Sequence, residues 1–135
     1  MPQLSRRTVL IVGFVLGLAV WLVPGLLLQQ SEPWDGHGPA YPLTLALVGL
    51  ALGFLGPGRP GAAVAGVFAG QLLALIYGVL TSPAGGETWM ISVLLLGGYT
   101  FVVSGAGAFV GGALRRRFFP AERRVGDRRS QGDAV

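Results

Sequence analysis

Few side chains in this 135-residue chain are of types that do chemistry, and they are scattered. Gln71 is the only amide inside a long apolar run, eleventh of the twenty residues from Gly61 to Leu80. A buried amide in hydrocarbon needs a partner, and Ser92, Tyr99, Thr100 and Ser104 are the candidates; each such interhelical bond contributes about 0.6–2 kcal/mol. A substrate-contacting role for Gln71 is the weaker reading, because nothing ionisable joins it. Glu32, Asp35 and His37 fall close together in a Gly/Pro-rich stretch and are the only set resembling metal ligands. With one histidine in the whole chain they read as solvated loop charges, so no metal residue is expected.

Several chemistries are excluded outright. The chain has no cysteine, which removes disulfides, thiolate nucleophiles, iron–sulfur clusters and zinc–thiolate sites. A single histidine rules out bis-histidine haem. There is no phosphate loop, no nucleophile–base pair and no catalytic carboxylate pair, so neither a catalytic residue nor a cofactor is expected and the chain reads as a non-enzyme.

The elements that hold these residues follow from charge spacing. Between Arg7 and Arg115 only Glu32, Asp35, Arg59 and Glu87 are charged, and each lies between apolar runs. Four charge-free stretches result, at 8–28, 41–56, 61–80 and 90–114, bracketing the roughly 20 helical residues that cross a ~30 Å hydrocarbon layer. The expectation is an all-α polytopic membrane protein, four transmembrane helices running up-down-up-down. Residues 1–117 would form the membrane domain, and 118–135 a basic, disordered tail. The second stretch is short, about 24 Å of helix. It enters Gly56-Pro57-Gly58-Arg59-Pro60-Gly61, where glycines allow positive φ and prolines stop one helix and start the next. Pro24 should kink the first helix near its outer end, and Trp34, Tyr41 and Trp89 should form an interfacial aromatic belt.

Every basic residue is arginine, and all ten fall on one side of this topology. Arg6 and Arg7 precede the first span, Arg59 sits in the second gap, and Arg115, Arg116 and Arg117 open a run of seven after the fourth. The positive-inside rule therefore puts both termini in the cytoplasm. Arg6, Arg7, Arg59, Arg115, Arg116 and Arg117 are expected to meet anionic lipid headgroups, each contributing on the order of 1 kcal/mol. The net charge of +4 thus points to membrane lipids and not to nucleic acid. Ser5-Arg6-Arg7-Thr8 superficially matches a twin-arginine signal, but the apolar run after it is too long and no small-x-small cleavage site ends it, so it reads as a retained anchor. Arginine without lysine, with heavy Gly, Ala, Val and Leu usage, suggests a GC-rich bacterium and its cytoplasmic membrane.

Glycine is the other signal, at 23 residues. Each span carries a small-residue repeat: Gly13 with Gly17, Gly49 with Gly53, Gly66 with Gly70, Gly107 with Gly111. Lipid supplies no hydrophobic drive between helices, so such notches are how backbones gain packing. In the third span Ala62, Gly66, Gly70, Ala74 and Gly78 recur every four residues, a stripe that drifts around the helix and suits a right-handed crossing near 40°. These repeats exceed what one or two seams require. They point to association with other transmembrane helices, of further copies or of a larger membrane complex.

In size, four spans in about 130 residues resemble small multidrug exporters and fluoride channels, but the intramembrane glutamate of the former is missing and so are the polar pore motifs of the latter. Phage holins are similar in small size and basic tail. No ionisable group lies within any span, which disfavours ion-coupled transport. The reading is an accessory or structural membrane subunit. The alternative is a small oligomeric channel, permease or holin-like pore lined by Gln71, Thr100 and Ser104.

Overall fold

A computed structural model describes residues 4–28, 39–81 and 89–119, and among these every regular element is helical. The elements are α1 (Arg6–Leu28), α2 (Ala40–Leu55), α3 (Pro60–Thr81), α4 (Trp89–Tyr99), a π-helical segment (Thr100–Ser104) and α5 (Gly105–Phe118). Three units are long and apolar enough to cross a membrane: α1 over Arg6–Val23, α3 over its whole length, and Met90–Phe118, which joins α4, the π segment and α5. The 16-residue α2 is a shorter apolar helix. The ends extend the expected spans by up to four residues, most at the fourth, where helix continues through the arginines to Phe118. The Glu32–His37 cluster, Glu87 and the tail from residue 120 lie outside the described residues.

Local chemistry sets the helix ends. Ser5 caps α1: its hydroxyl accepts the Thr8 backbone N–H at 3.1 Å, and its carbonyl accepts that of Val9. α1 then runs through Pro24 to Leu28 as one element. At the Gly56–Pro60 turn, Gly56 N–H bonds back to Leu52, Gly58 takes φ +81°, and Pro60 opens α3 where its missing N–H costs nothing. Backbone dihedrals stay right-handed helical at Tyr99 and Gly105, so the glycine-rich fourth span widens by one residue per turn at Thr100–Ser104 and does not break.

Two seams dominate the packing. On the first, a β-carbon on Gly13 would sit 3.1 Å from the Ala63 carbonyl oxygen, and one on Gly17 would overlap that of Val67. Facing them, Gly66 meets the Leu10 carbonyl and Gly70 that of Phe14. On the second, Gly49 and Gly53 meet the carbonyls of Ser104 and Ala108, while Gly107 and Gly111 meet those of Ala46 and Leu50. Residue numbers rise together across each contact, so α1 runs parallel to α3, and α2 to the π segment and α5. Approach this close brings Cα–H groups onto carbonyl oxygens and maximises dispersion, which is how helices attract where no hydrophobic drive exists.

The α1/α3 and α2/α5 pairs close around a core of Val9, Leu45, Leu52, Ala63, Val67 and Ala108, all nearly inaccessible. A second cluster, Trp21, Ala74, Leu75 and Leu96, fills the space near the far end of α3. Of the α3 stripe, Ala62 and Ala74 are buried, Gly66 and Gly70 touch α1, and Gly78 has nothing within 4 Å.

Candidate functional site

The buried polar groups gather where α2, α3 and the π segment meet. Gln71 is fully buried on α3. Its Oε1 accepts a hydrogen bond from Thr100 Oγ1 at 2.6 Å, and its Nε2 donates to the Tyr41 hydroxyl at 3.2 Å. Thr100 was among the expected partners; Tyr41 was not. The Tyr41 ring also packs edge-on to Tyr99, with centroids 5.6 Å apart and planes at 70°.

Tyr41 is 6% exposed and belongs to this interior, not to an interfacial belt. The reason is the length of α2. Tyr41 stands level with Tyr99, ten residues and about 15 Å inside the start of α4, and α3 likewise continues about 15 Å beyond Gln71. A helix of 16 residues whose last turn sits at the arginine-bearing end reaches only part way up its neighbours.

Ser104, one turn beyond Thr100, is fully buried, and its hydroxyl has no hydrogen-bond partner among the described residues. Ser92, another expected partner of Gln71, is buried as well. Among the described residues no three His, Cys, Asp or Glu side chains come together.

A second polar site lies at the opposite end. Arg115 is 4% exposed, and its Nη1 donates to the carbonyls of Phe54 at 3.0 Å and Leu55 at 3.2 Å. Those carbonyls are orphans of the last turn of α2, and the guanidinium also meets the negative end of its dipole. Arg59 donates to the Leu4 carbonyl, and Leu4 N–H bonds to Leu55 at 3.1 Å. Two of the six arginines expected at lipid headgroups therefore point inward and tie helix ends together. Arg6, Arg7, Arg116 and Arg117 are exposed. Phe119 lies edge-on against Phe54 at 6.1 Å.

No family model, curated protein or solved structure matches this chain. The geometry is therefore what bears on function. It brings Gln71, Thr100 and Tyr41 into one hydrogen-bonded group. It leaves Ser104 buried one turn further along the π segment, and it spends Arg59 and Arg115 on helix ends.

Sequence reasoning missed two participants, Tyr41 and Arg115. For Tyr41 a signal existed, since a helix too short to span puts its first turn below the interface. For Arg115 the spacing carried no such signal: three arginines in a row look alike until the helix phase is known.

Proposed function

We propose that this chain is a non-enzymatic integral protein of a bacterial cytoplasmic membrane, crossing it four times with both termini inside. In this reading it serves as an accessory or structural subunit whose lipid-facing helix surfaces pack against other transmembrane helices, in a homo-oligomer or a larger complex. One observation carries the reading: Gln71 engages Thr100 and Tyr41 with its two ends, so the one amide among the spans is committed to holding the chain's own helices together. What faces outward is apolar and offers small notches. Gly78 and Gly98 have nothing within 4 Å, Gly97 meets only the Phe68 ring at 3.7 Å, and Leu94 and Val102 stand more than two-thirds exposed along the same unit. A partner helix or lipid tails would cover that surface.

Short α2 is consistent with four crossings if the bilayer thins locally or a partner shields its far end. The one-sided arginines support the orientation. Isolation of the native protein in mild detergent tests the reading: a stoichiometric membrane partner, or a defined oligomer, is the expected result. A lone monomer in both detergent and native lipid discs overturns it.

A second reading, a small channel, permease or holin-like pore, draws on the Tyr41–Gln71–Thr100 group and the Ser104 hydroxyl, polar side chains that a solute path could use. Solute flux into liposomes that is abolished by Gln71→Leu in folded protein would move the assignment to it.

A further inference from the structure

We infer that the chain is a fused pseudo-dimer: two copies of one helical hairpin, residues 4–57 and 58–119, each serving as the other's partner through a self-complementary surface. The two seams share one register. In the first, each glycine of α1 faces the carbonyl three residues before its counterpart in α3, Gly13 on Ala63 and Gly17 on Val67, and the relation is reciprocal, Gly66 on Leu10 and Gly70 on Phe14. In the second, Gly49 faces Ser104 and Gly53 faces Ala108, again three residues before Gly107 and Gly111, while those two face Ala46 and Leu50, three before Gly49 and Gly53. Reciprocal contact of the same patch on both partners is the property of an interface between copies of one unit. Gly-x3-Gly notches favour this register wherever two parallel helices cross through them, so the shared register gains its weight from the sequence correspondence beside it.

The same correspondence carries through the rest of the chain. A shift of 53 residues takes Gly13–Leu27 onto Gly66–Leu80 with identity at Gly13, Gly17, Leu22, Gly25 and Leu27, and takes Arg6 onto Arg59. A shift of 55 takes Glu32-Pro33-Trp34 onto Glu87-Thr88-Trp89, and one of 58 takes Tyr41, Gly49 and Gly53 onto Tyr99, Gly107 and Gly111. Corresponding residues also fall in the same cores: Val9 and Ala62 belong to one cluster, Leu45 belongs to it with Val103 packed against it, Trp21 and Ala74 belong to the other, and the Tyr41 and Tyr99 rings touch. At the buried polar group the copies differ: Gln71 corresponds to Leu18, and Thr100 to Pro42. The consequence is that these eight glycines already have their partners, so a helix from outside docks elsewhere.

The cysteine-free full-length chain permits a direct test. Val9→Cys with Ala62→Cys reports on the first seam, and Leu45→Cys with Val103→Cys on the second, as disulfides formed within one chain on oxidation. Into each reporter chain two exchanges are introduced, both preserving the composition of the chain and the Gly-x3-Gly pair at its register. The matched one swaps residues 10–17 with 63–70; the mismatched one swaps 10–17 with 104–111. If the hairpins are equivalent, the matched exchange keeps intrachain disulfide yield within about twofold of the parent, and the mismatched one lowers it about tenfold or more. Matched yields no better than mismatched, including the case in which both fail, overturn the inference. So does a parent chain whose disulfides link two molecules.

Discussion

The two ends of the helix assembly are built differently. Toward the Gly56–Pro60 turn, all four helical units are present, glycines sit on facing carbonyls, and Arg59 and Arg115 tie the helix ends. Beyond Tyr41, α2 is gone, and α3 and α4 leave an apolar groove of about 280 Å³ lined by Leu72, Leu75, Ile76, Val79, Leu80 and Val93. Gly70 and Gly78 belong to one four-residue stripe, yet a β-carbon on Gly70 would strike the Phe14 carbonyl while one on Gly78 would meet nothing within 4 Å among the described residues. A small-residue motif supplies the opportunity for close approach; whether another backbone stands at that level decides if it is used.

Substitution along that stripe breaks or sharpens the comparison most strongly. Gly70→Leu drives a side chain into the backbone of Phe14 and Leu18, where neither a rotamer change nor a short shift relieves it, and the expected loss is on the order of 3 kcal/mol or more. Gly78→Leu, eight residues along the same face, should change stability by less than about 0.5 kcal/mol. Thermal unfolding in one mild detergent measures both. Equal effects would remove the distinction between the two ends.

At the turn end, Arg115→Leu deletes the donor to two carbonyls and should cost about 1.5–3 kcal/mol, the range for hydrogen bonds to charged groups. Arg116→Leu, exposed on the same helix, should cost almost nothing by the same denaturation assay. If the two substitutions are indistinguishable, Arg115 is no helix-end tie and the inner end owes its order to the glycines alone.

How much of this was legible beforehand follows from the physics of each signal. Helix existence was legible because lipid permits no unpaired backbone: long charge-free runs have few alternatives to helix. The zipper glycines were legible as notches, but their partners were not, because spacing within a helix says nothing about which neighbour stands opposite. The eight glycines of the four repeats face backbones within the chain, while Gly78, Gly97 and Gly98 do not. Gln71 was legible as a residue that must bond, and Thr100 as a partner within reach. Tyr41 is expected in an interfacial belt because the helix start is equated with the membrane surface; its burial beside Gln71 and Tyr99 goes with the shortness of the 16-residue α2. The π segment left no mark in the sequence, since Thr-Phe-Val-Val-Ser reads as ordinary apolar helix.

Between the two ends lies the polar group, and its members should separate in size. Gln71→Leu removes both side-chain bonds and should cost about 1–2 kcal/mol, with Tyr41→Phe costing less because the shorter Thr100–Gln71 bond is kept. A double-mutant cycle between Gln71 and Thr100 measures the 2.6 Å contact directly. A coupling energy indistinguishable from zero would mean that the group does not act as a unit.

Ser104→Ala should have an effect of opposite sign. The serine hydroxyl is fully enclosed and unpartnered, so the folded chain carries its desolvation without a compensating bond. Alanine removes that burden and leaves the contact with Gly49 untouched, because that contact is made by the Ser104 backbone carbonyl. The expected result is no loss of stability, and a gain of up to about 1 kcal/mol. A clear destabilisation would show that the hydroxyl is satisfied in the membrane, by water or by a solute reaching it along the π segment. Solvent access to a cysteine at the same position would then favour the pore reading over the structural one.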